Sequence, residues 1–400
     1  MKKQVVTILL IMMFFFCLFT IPAAQAVQSS AKIDFKQEEL LEDYDQLWND
    51  LKVNYPFFPV LERRGINVEN LRRSGRETLI SRAMNLNGFV ILMQNIFARM
   101  GNFAHLSLGD VDFYDFYHSF LPMENDPRIE LVFNLQTQTT YEFLRTEQPC
   151  SSSDHYPEVV SLYLPNVNTA YFHFKSFEHS LLERDKEVIV DYLLSLGNVE
   201  HIIIDITGNP GGDAAYWQQN IVLPFGGEYE WSFNIFLKKT PVNECYFFRN
   251  TNYDIQPISK FPSQEKLPAF VSELGLTHYY TNDSIYPTPA LTGKTVETRA
   301  KRWVLIDQGT YSSADGFAAF CKSSGWATVV GKTTWGDGMN ASGPVLLKLK
   351  NTGLLVRFSS ATCANSDGTM NAEIGTSPDI ICKVRETPLE TCLRVIGDMQ

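Results

Sequence analysis

Three side chains in this sequence have the types needed to move an acyl group, and two glycines could assist them. Ser312 lies in Gly309-Thr310-Tyr311-Ser312-Ser313-Ala314-Asp315-Gly316, after the apolar run Trp303-Val304-Leu305-Ile306 and before Phe317-Ala318-Ala319-Phe320-Cys321. That order predicts a strand, a tight turn and a helix reaching about Gly325. A serine at such a turn carries its hydroxyl clear of the sheet, beside first-turn amides that lack an intrahelical acceptor. An ordinary helix N-cap has the same appearance, so acyl chemistry requires partners elsewhere. The hydroxyl is a weak nucleophile and needs a base within reach, a group orienting that base, and amide donors for the developing oxyanion. His105, in Met100-Gly101-Asn102-Phe103-Ala104-His105-Leu106, is the candidate base, and Glu373, in Asn371-Ala372-Glu373-Ile374-Gly375-Thr376, is the candidate orienting acid. The candidate oxyanion donors are the amide of Ser313 and one from Gly211 or Gly212. General-base assistance is worth on the order of 10²–10⁴ in rate, and one oxyanion donor about 3 kcal/mol.

The elements that must position these residues follow from periodicity. Residues 35–99 read as helical, with Leu40, Leu41, Tyr44, Leu47, Trp48 and Leu51 at helix spacing, a break at Tyr55-Pro56-Phe57-Phe58-Pro59, and a second periodic stretch through Phe89, Leu92, Ile96 and Phe97. Ile129 to Phe133 predicts a strand. Val159 to Leu164 and Thr169 to Phe174 predict a strand pair, followed by a helix over about 180–196. Val199 to Ile206, centred on Ile202-Ile203-Ile204, has the β-branched character of a strand buried on both faces. It runs into Thr207-Gly208-Asn209-Pro210-Gly211-Gly212 and a new helix at Asp213, a second unit of strand, glycine turn and helix. Residues 228–300 read as a β-rich insertion, with strands at Phe233 to Lys238 and Cys245 to Phe248. A strand at Ala327 to Gly331, a hairpin pairing Val345 to Leu349 with Leu354 to Phe358, and a closing helix near Leu389 to Ile396 complete an alternating α/β pattern.

Residues 1–26 stand apart. Lys2 and Lys3 precede an apolar run from Val5 to Ile21, and Ala24-Gln25-Ala26 supplies a small-residue cleavage site, the pattern of an export signal peptide removed near Ala26. The expected mature chain is therefore exported, with no stable membrane span. It is organised as a helical domain over 27–104 and an α/β core over 105–400. Without Lys2 and Lys3 the chain holds 32 basic residues against 45 acidic ones, a formal charge of −13, which disfavours nucleic acid as a partner. Six cysteines remain once Cys17 is lost, which permits disulfides in an exported protein without choosing among about 15 pairings. No Cys-x-x-Cys or His-Glu-x-x-His spacing occurs, so neither a metal nor another cofactor is expected.

At the candidate residues the chain resembles the C-terminal processing (tail-specific) serine peptidases, and among them the tricorn-core-like branch. Asp205-Ile206-Thr207-Gly208-Asn209-Pro210-Gly211-Gly212 is similar to the family's Asp-Leu-Arg-x-Asn-x-Gly-Gly turn, and Gly309 to Asp315 to its Gly-Ser-Ala-Ser-Ala-Ser-Glu nucleophile segment. Ala327 to Gly331 and Gly375 to Ile380 match two further family strands in order. The resemblance implies a ClpP/crotonase-type α/β core, a helical N-terminal domain, Ser312 as nucleophile, and a protein or peptide substrate. Many members pair their serine with a lysine in Phe-Gly-Lys-Gly. Here that loop is Trp335-Gly336-Asp337-Gly338, and Asp337 stands where the lysine is expected. The tricorn-like branch uses a histidine and a glutamate at positions that match His105 and Glu373, so the resemblance implies Ser-His-Glu rather than Ser-Lys catalysis. After His105 the glycine pattern of the family's PDZ domain is missing. The alternative expectation is a non-catalytic ligand- or peptide-binding protein on the same fold.

Overall fold

The computed structural model describes residues 34–120, 126–147, 159–249, 252–288, 291, 293–339 and 343–399. The signal segment, Cys17, Cys150 and the turn at 150–154 lie outside the described residues. Four helices come first: α1 (Gln37–Asn54), α2 (Phe58–Arg63), α3 (Val68–Ser81) and α4 (Leu86–Arg99). The α3 and α4 helices begin on asparagine caps, Asn67 accepting from the Asn70 amide and Asn85 from the Gly88 amide. The apolar faces of these helices, including Leu47 of α1, Leu71 of α3, and Phe89 and Phe97 of α4, join the same hydrophobic cluster as the α/β elements that follow. Residues Ile33–Gln400 accordingly form one compact unit.

After strand β1 (Ser107–Leu108) come α5 (Val111–Phe120), α6 (Arg128–Val132) and α7 (Leu135–Glu147). The α6 helix replaces the strand expected at Ile129 to Phe133. Its cause is Asp126-Pro127, where the aspartate carboxylate accepts the Arg128 amide at 2.8 Å and Pro127 begins the turn, a helix start that outweighs a short apolar run. The central sheet contains β2 (Val160–Leu164), β3 (Thr169–His173), β4 (His201–Asp205), β8 (Lys301–Ile306), β9 (Thr328–Gly331) and β13 (Ile380–Ile381), in the order β13-β9-β8-β4-β3-β2. Only β2 runs antiparallel to its neighbour. The helix α8 (Leu182–Ser195) crosses from β3 to β4.

The β-branched run of β4 is buried on both faces, as a strand in a covered parallel sheet must be. Ile202 and Ile204 enter the large core cluster, whereas Ile203 joins Trp303, Leu305 and Val330 under Cys392 and Ile396 of the last helix, α14 (Pro388–Gly397). Between β4 and β8 lie α9 (Ala214–Trp217), β5 (Tyr229–Leu237), α10 (Pro241–Asn243), β6 (Gln256–Pro257), α11 (Ala269–Glu273) and β7 (His278–Tyr286). With β12 (Ala361–Cys363) these strands form a second sheet of order β12-β5-β7-β6. Cys245 to Phe248, expected as a strand, is helical: Thr240 caps the Asn243 amide, Pro241 opens the helix, and Glu244–Phe248 continues it. The nucleophile candidate begins α12 (Ser313–Ser324), while β10 (Val345–Lys348) and β11 (Leu355–Phe358) make the expected hairpin beside β1, and α13 (Asn371–Ile374) carries Glu373.

Candidate active site

The turns after β4, β8 and β9 open at the carboxyl ends of three neighbouring parallel strands, and they deliver Gly211 and Gly212, Ser312, and Asp337 to one place. They are tied to one another by main-chain bonds: Tyr311 N–H donates to Asn209 O at 3.0 Å, Trp335 N–H to Thr310 O at 2.8 Å, and Ser312 N–H to Gly336 O at 3.1 Å. His105 arrives from the opposite side, between α4 and β1. Tyr311 Oη accepts its amide at 3.1 Å, and the Ser359 amide donates to Ala104 O at 2.8 Å.

These contacts hold a row of three side chains. His105 Nε2 lies 2.9 Å from Ser312 Oγ, and His105 Nδ1 lies 2.5 Å from Asp337 Oδ2. Ser359 Oγ donates to the same carboxylate oxygen at 2.8 Å and sits 3.2 Å from Nδ1. His105 and Asp337 are buried, with 6% and 5% exposure. Ser312, His105 and Asp337 also have positive φ angles, of 53°, 60° and 58°. Positive φ is costly for residues with a Cβ, and such strain gathers where surrounding structure fixes a side chain against its local preference. The carboxylate of Asp337 keeps Nδ1 as the donor nitrogen, which leaves Nε2 free to accept the Ser312 proton.

The loop carrying Asp337 is itself anchored. Asp315, fully buried in the first turn of α12, accepts Thr334 Oγ1 at 2.5 Å, Gly338 N–H at 3.0 Å and Thr376 N–H at 3.1 Å. Burial raises the Asp315 pKa, and the bonds from Thr334, Thr376, Asn371 and Gly338 oppose that shift. Gly338 must be glycine, because a Cβ there would come within 2.1 Å of Ser312 O and of Gly316 N.

Glu373 sits elsewhere. Its carboxylate is gripped by the Arg63 guanidinium of α2, through both Nε and Nη2, and its carbonyl accepts Arg64 Nη2 at 3.0 Å. No bond joins it to His105, so the Ser-His-Glu row expected from the sequence is replaced by Ser312-His105-Asp337. A planar guanidinium takes a carboxylate two-pronged, and Nδ1 already has its acceptor. In the sequence Asp337 stands out only as the residue at the lysine position, and nothing along the chain places it beside His105. The signal in the sequence is a carboxylate between two glycines, Gly336 and Gly338, in the loop that follows the strand at Ala327 to Gly331.

For the oxyanion donors, the Gly211 amide is already committed to Asn209 Oδ1 at 2.8 Å. The amides of Gly212 and Ser313 donate to no acceptor among the described residues. Gly211 contributes by lacking a side chain, since a Cβ there would lie 2.9 Å from Ser313 N and 2.8 Å from the Ser312 Cβ, obstructing that amide. Asp205 bonds to Thr207 and to Tyr171 Oη and so shapes the turn. Among the described residues no group of three or more histidine, cysteine or acidic side chains could hold a metal ion, and no helix is long and apolar enough to cross a membrane. Cys245, Cys321, Cys363, Cys382 and Cys392 are free thiols.

A hydroxyl, an imidazole and a buried carboxylate in line, beside two open amides on an α/β core, define the class of serine-type hydrolases. The model of peptidase family S41 matches residues 168–382, more than half of the chain, and the chain belongs to that family of serine-type peptidases. The matched segment contains Ser312 and Asp337, whereas His105 precedes it. No curated protein matches. Among solved structures, a putative peptidase from Parabacteroides merdae is similar at 16% identity and a TM-score of 0.52, over 90% of this chain and 99% of that one. Mature CPAF is similar at 12% identity and a TM-score of 0.51, over 91% and 96%. A lipoprotein from Streptococcus agalactiae has 10% identity and a TM-score of 0.50, over 90% and 96%. At such identities the likeness is one of fold.

Proposed function

We propose that this chain is an exported endopeptidase that cleaves polypeptides through an acyl-enzyme on Ser312, after removal of residues 1–26. His105 Nε2 takes the Ser312 proton as Oγ attacks the scissile carbonyl carbon. Asp337 holds the imidazole and stabilises its charged form, with Ser359 steadying the carboxylate. The amides of Ser313 and Gly212 receive the oxyanion. The tetrahedral intermediate collapses as His105 returns the proton to the leaving amine, and a water molecule, deprotonated by the same imidazole, then releases the acyl group. The observation that carries this reading is the unbroken row Ser312 Oγ, His105 Nε2, His105 Nδ1, Asp337 Oδ2, with links of 2.9 and 2.5 Å about the ring.

A fluorophosphonate probe tests it. The mature protein is expected to be labelled on Ser312 and to hydrolyse casein, with both activities lost in Ser312→Ala. Casein hydrolysis that survives Ser312→Ala would contradict Ser312 as the nucleophile, and a protein that is neither labelled at Ser312 nor active on casein would leave the non-catalytic binding protein as the better account.

A further inference from the structure

The second sheet has an unfinished edge. The nine residues of β5 pair with β7 along their whole length, from Tyr229 against Tyr286 to Leu237 against His278. On the other side β12 covers only Ile235, Phe236 and Leu237, opposite Cys363, Thr362 and Ala361. Beyond Cys363 the chain leaves the line of the strand, since Ala364 bridges back to Met370 around a turn. Among the described residues nothing pairs with the β12-side edge of Tyr229 to Asn234.

Which groups face that edge follows from strand geometry. Leu237 O accepts the Thr277 amide at 3.0 Å, so Leu237 turns its main-chain groups toward β7. Successive residues of a strand present those groups to opposite edges. Glu230, Ser232 and Asn234 therefore offer N–H and C=O to the open side, with the period of an antiparallel ladder.

A cavity of about 720 Å³ occupies this side, bordered by Ser232 and Asn234. Its other walls come from both faces of the sheet. Ala319 belongs to α12, on the face where Trp231 packs against Phe320 at 5.8 Å, and Phe261 belongs to the opposite face, where it packs against Phe236 at 5.7 Å. A cavity walled from both faces and bordered by one strand lies off the edge of that strand. It is the slot that β12 would fill if it continued straight. The far wall includes Thr376, whose amide is held by the same Asp315 and Thr334 that anchor the Asp337 loop.

We propose that this slot binds a segment of the polypeptide substrate in extended form, as an added strand on β5 bonded to the main chain of Ser232 and Asn234. The occupant follows from the chemistry of the wall. Evenly spaced main-chain donors and acceptors match another extended backbone whatever its sequence, and the volume suits a few residues rather than a folded domain. The inference builds on the peptidase reading, since an unfolded substrate reaches beyond its scissile bond. None of Ser312, His105 and Asp337 lines the slot, so it engages the chain at a distance from the reacting carbonyl.

Proline tests it, because it removes one edge amide and leaves the main-chain ladder to β7 intact, Asn234→Pro also losing the side-chain bond that Asn234 Oδ1 accepts from Thr281 Oγ1. Asn234→Pro and Ser232→Pro are made in the full mature chain, and circular dichroism selects the variant that keeps the wild-type spectrum. For casein relative to a tetrapeptide anilide, the ratio of kcat/KM values is expected to fall about tenfold, with the loss in the casein KM. Binding of fluorescein-labelled casein to Ser312→Ala, followed by anisotropy, is expected to weaken at least fivefold when the proline is added. An unchanged ratio together with unchanged binding overturns the proposal, as does failure of casein to bind Ser312→Ala at all. Proline-sensitive binding by a chain that hydrolyses neither substrate would refute the peptidase reading while sustaining the slot.

Discussion

Two carboxylates compete, on paper, for the same histidine, and they end in opposite environments. Asp337 lies in a two-glycine loop, is buried at 5% exposure, and meets His105 and Ser359. Glu373 lies on a short helix facing the N-terminal helices, where Arg63 binds it in a partly buried ion pair. A carboxylate gripped by an arginine is engaged away from the imidazole and does not orient it. One buried against an imidazole fixes the tautomer and favours the imidazolium of the transition state. What separates them is the anchoring of the loop: Asp315, Thr334 and Gly338 set the Asp337 backbone, and no comparable anchor turns Glu373 toward His105.

Each consequence of this difference can be measured. Ser312→Ala removes the group that both readings share and is expected to lower kcat by roughly 10⁶, as read from casein hydrolysis. Asp337→Asn keeps the shape of the side chain but replaces its charge, and kcat should fall by about 10⁴ with KM nearly constant. Ser359→Ala removes one hydrogen bond to Asp337, worth about 1 kcal/mol, and a five- to tenfold loss of kcat is expected. Glu373→Gln should leave kcat/KM within about twofold and change stability by no more than about 1 kcal/mol, read from denaturant unfolding. Should the Asp337 and Glu373 effects be interchanged, the comparison fails.

The anchor has a pH signature. Burial raises the folded pKa of Asp315 above the ordinary carboxyl value of 3.8. A raised folded pKa means that its contribution to stability is full below 3.8 and is lost as pH rises through the folded value. Asp315→Asn cannot ionise, so the part of the stability profile that declines over this window should flatten in the variant. Thermal unfolding across the acid range measures that slope, and an unchanged slope would show that Asp315 does not ionise in the window.

Much of this arrangement was legible in the chain. Ile202-Ile203-Ile204 and Trp303-Val304-Leu305-Ile306 read as buried strands, and the glycine turn after the first and the serine turn after the second lie side by side because their strands are neighbours. Short apolar runs were less legible: Ile129 to Phe133 and Cys245 to Phe248 suit either period, and the helix starts at Asp126-Pro127 and Thr240-Pro241 decide them. Sequence order also could not rank Asp337 against Glu373. Each is far from His105 along the chain, and the choice depends on a buried aspartate, Asp315, holding one loop in place.

The most direct measurement is the proton NMR spectrum of the far-downfield region, where an imidazole Nδ1–H bonded to a carboxylate resonates, recorded for wild type, Asp337→Asn and Glu373→Gln. With His105 held by Asp337, the resonance is present in wild type and in Glu373→Gln and absent in Asp337→Asn. A resonance that survives Asp337→Asn and disappears in Glu373→Gln would contradict the account.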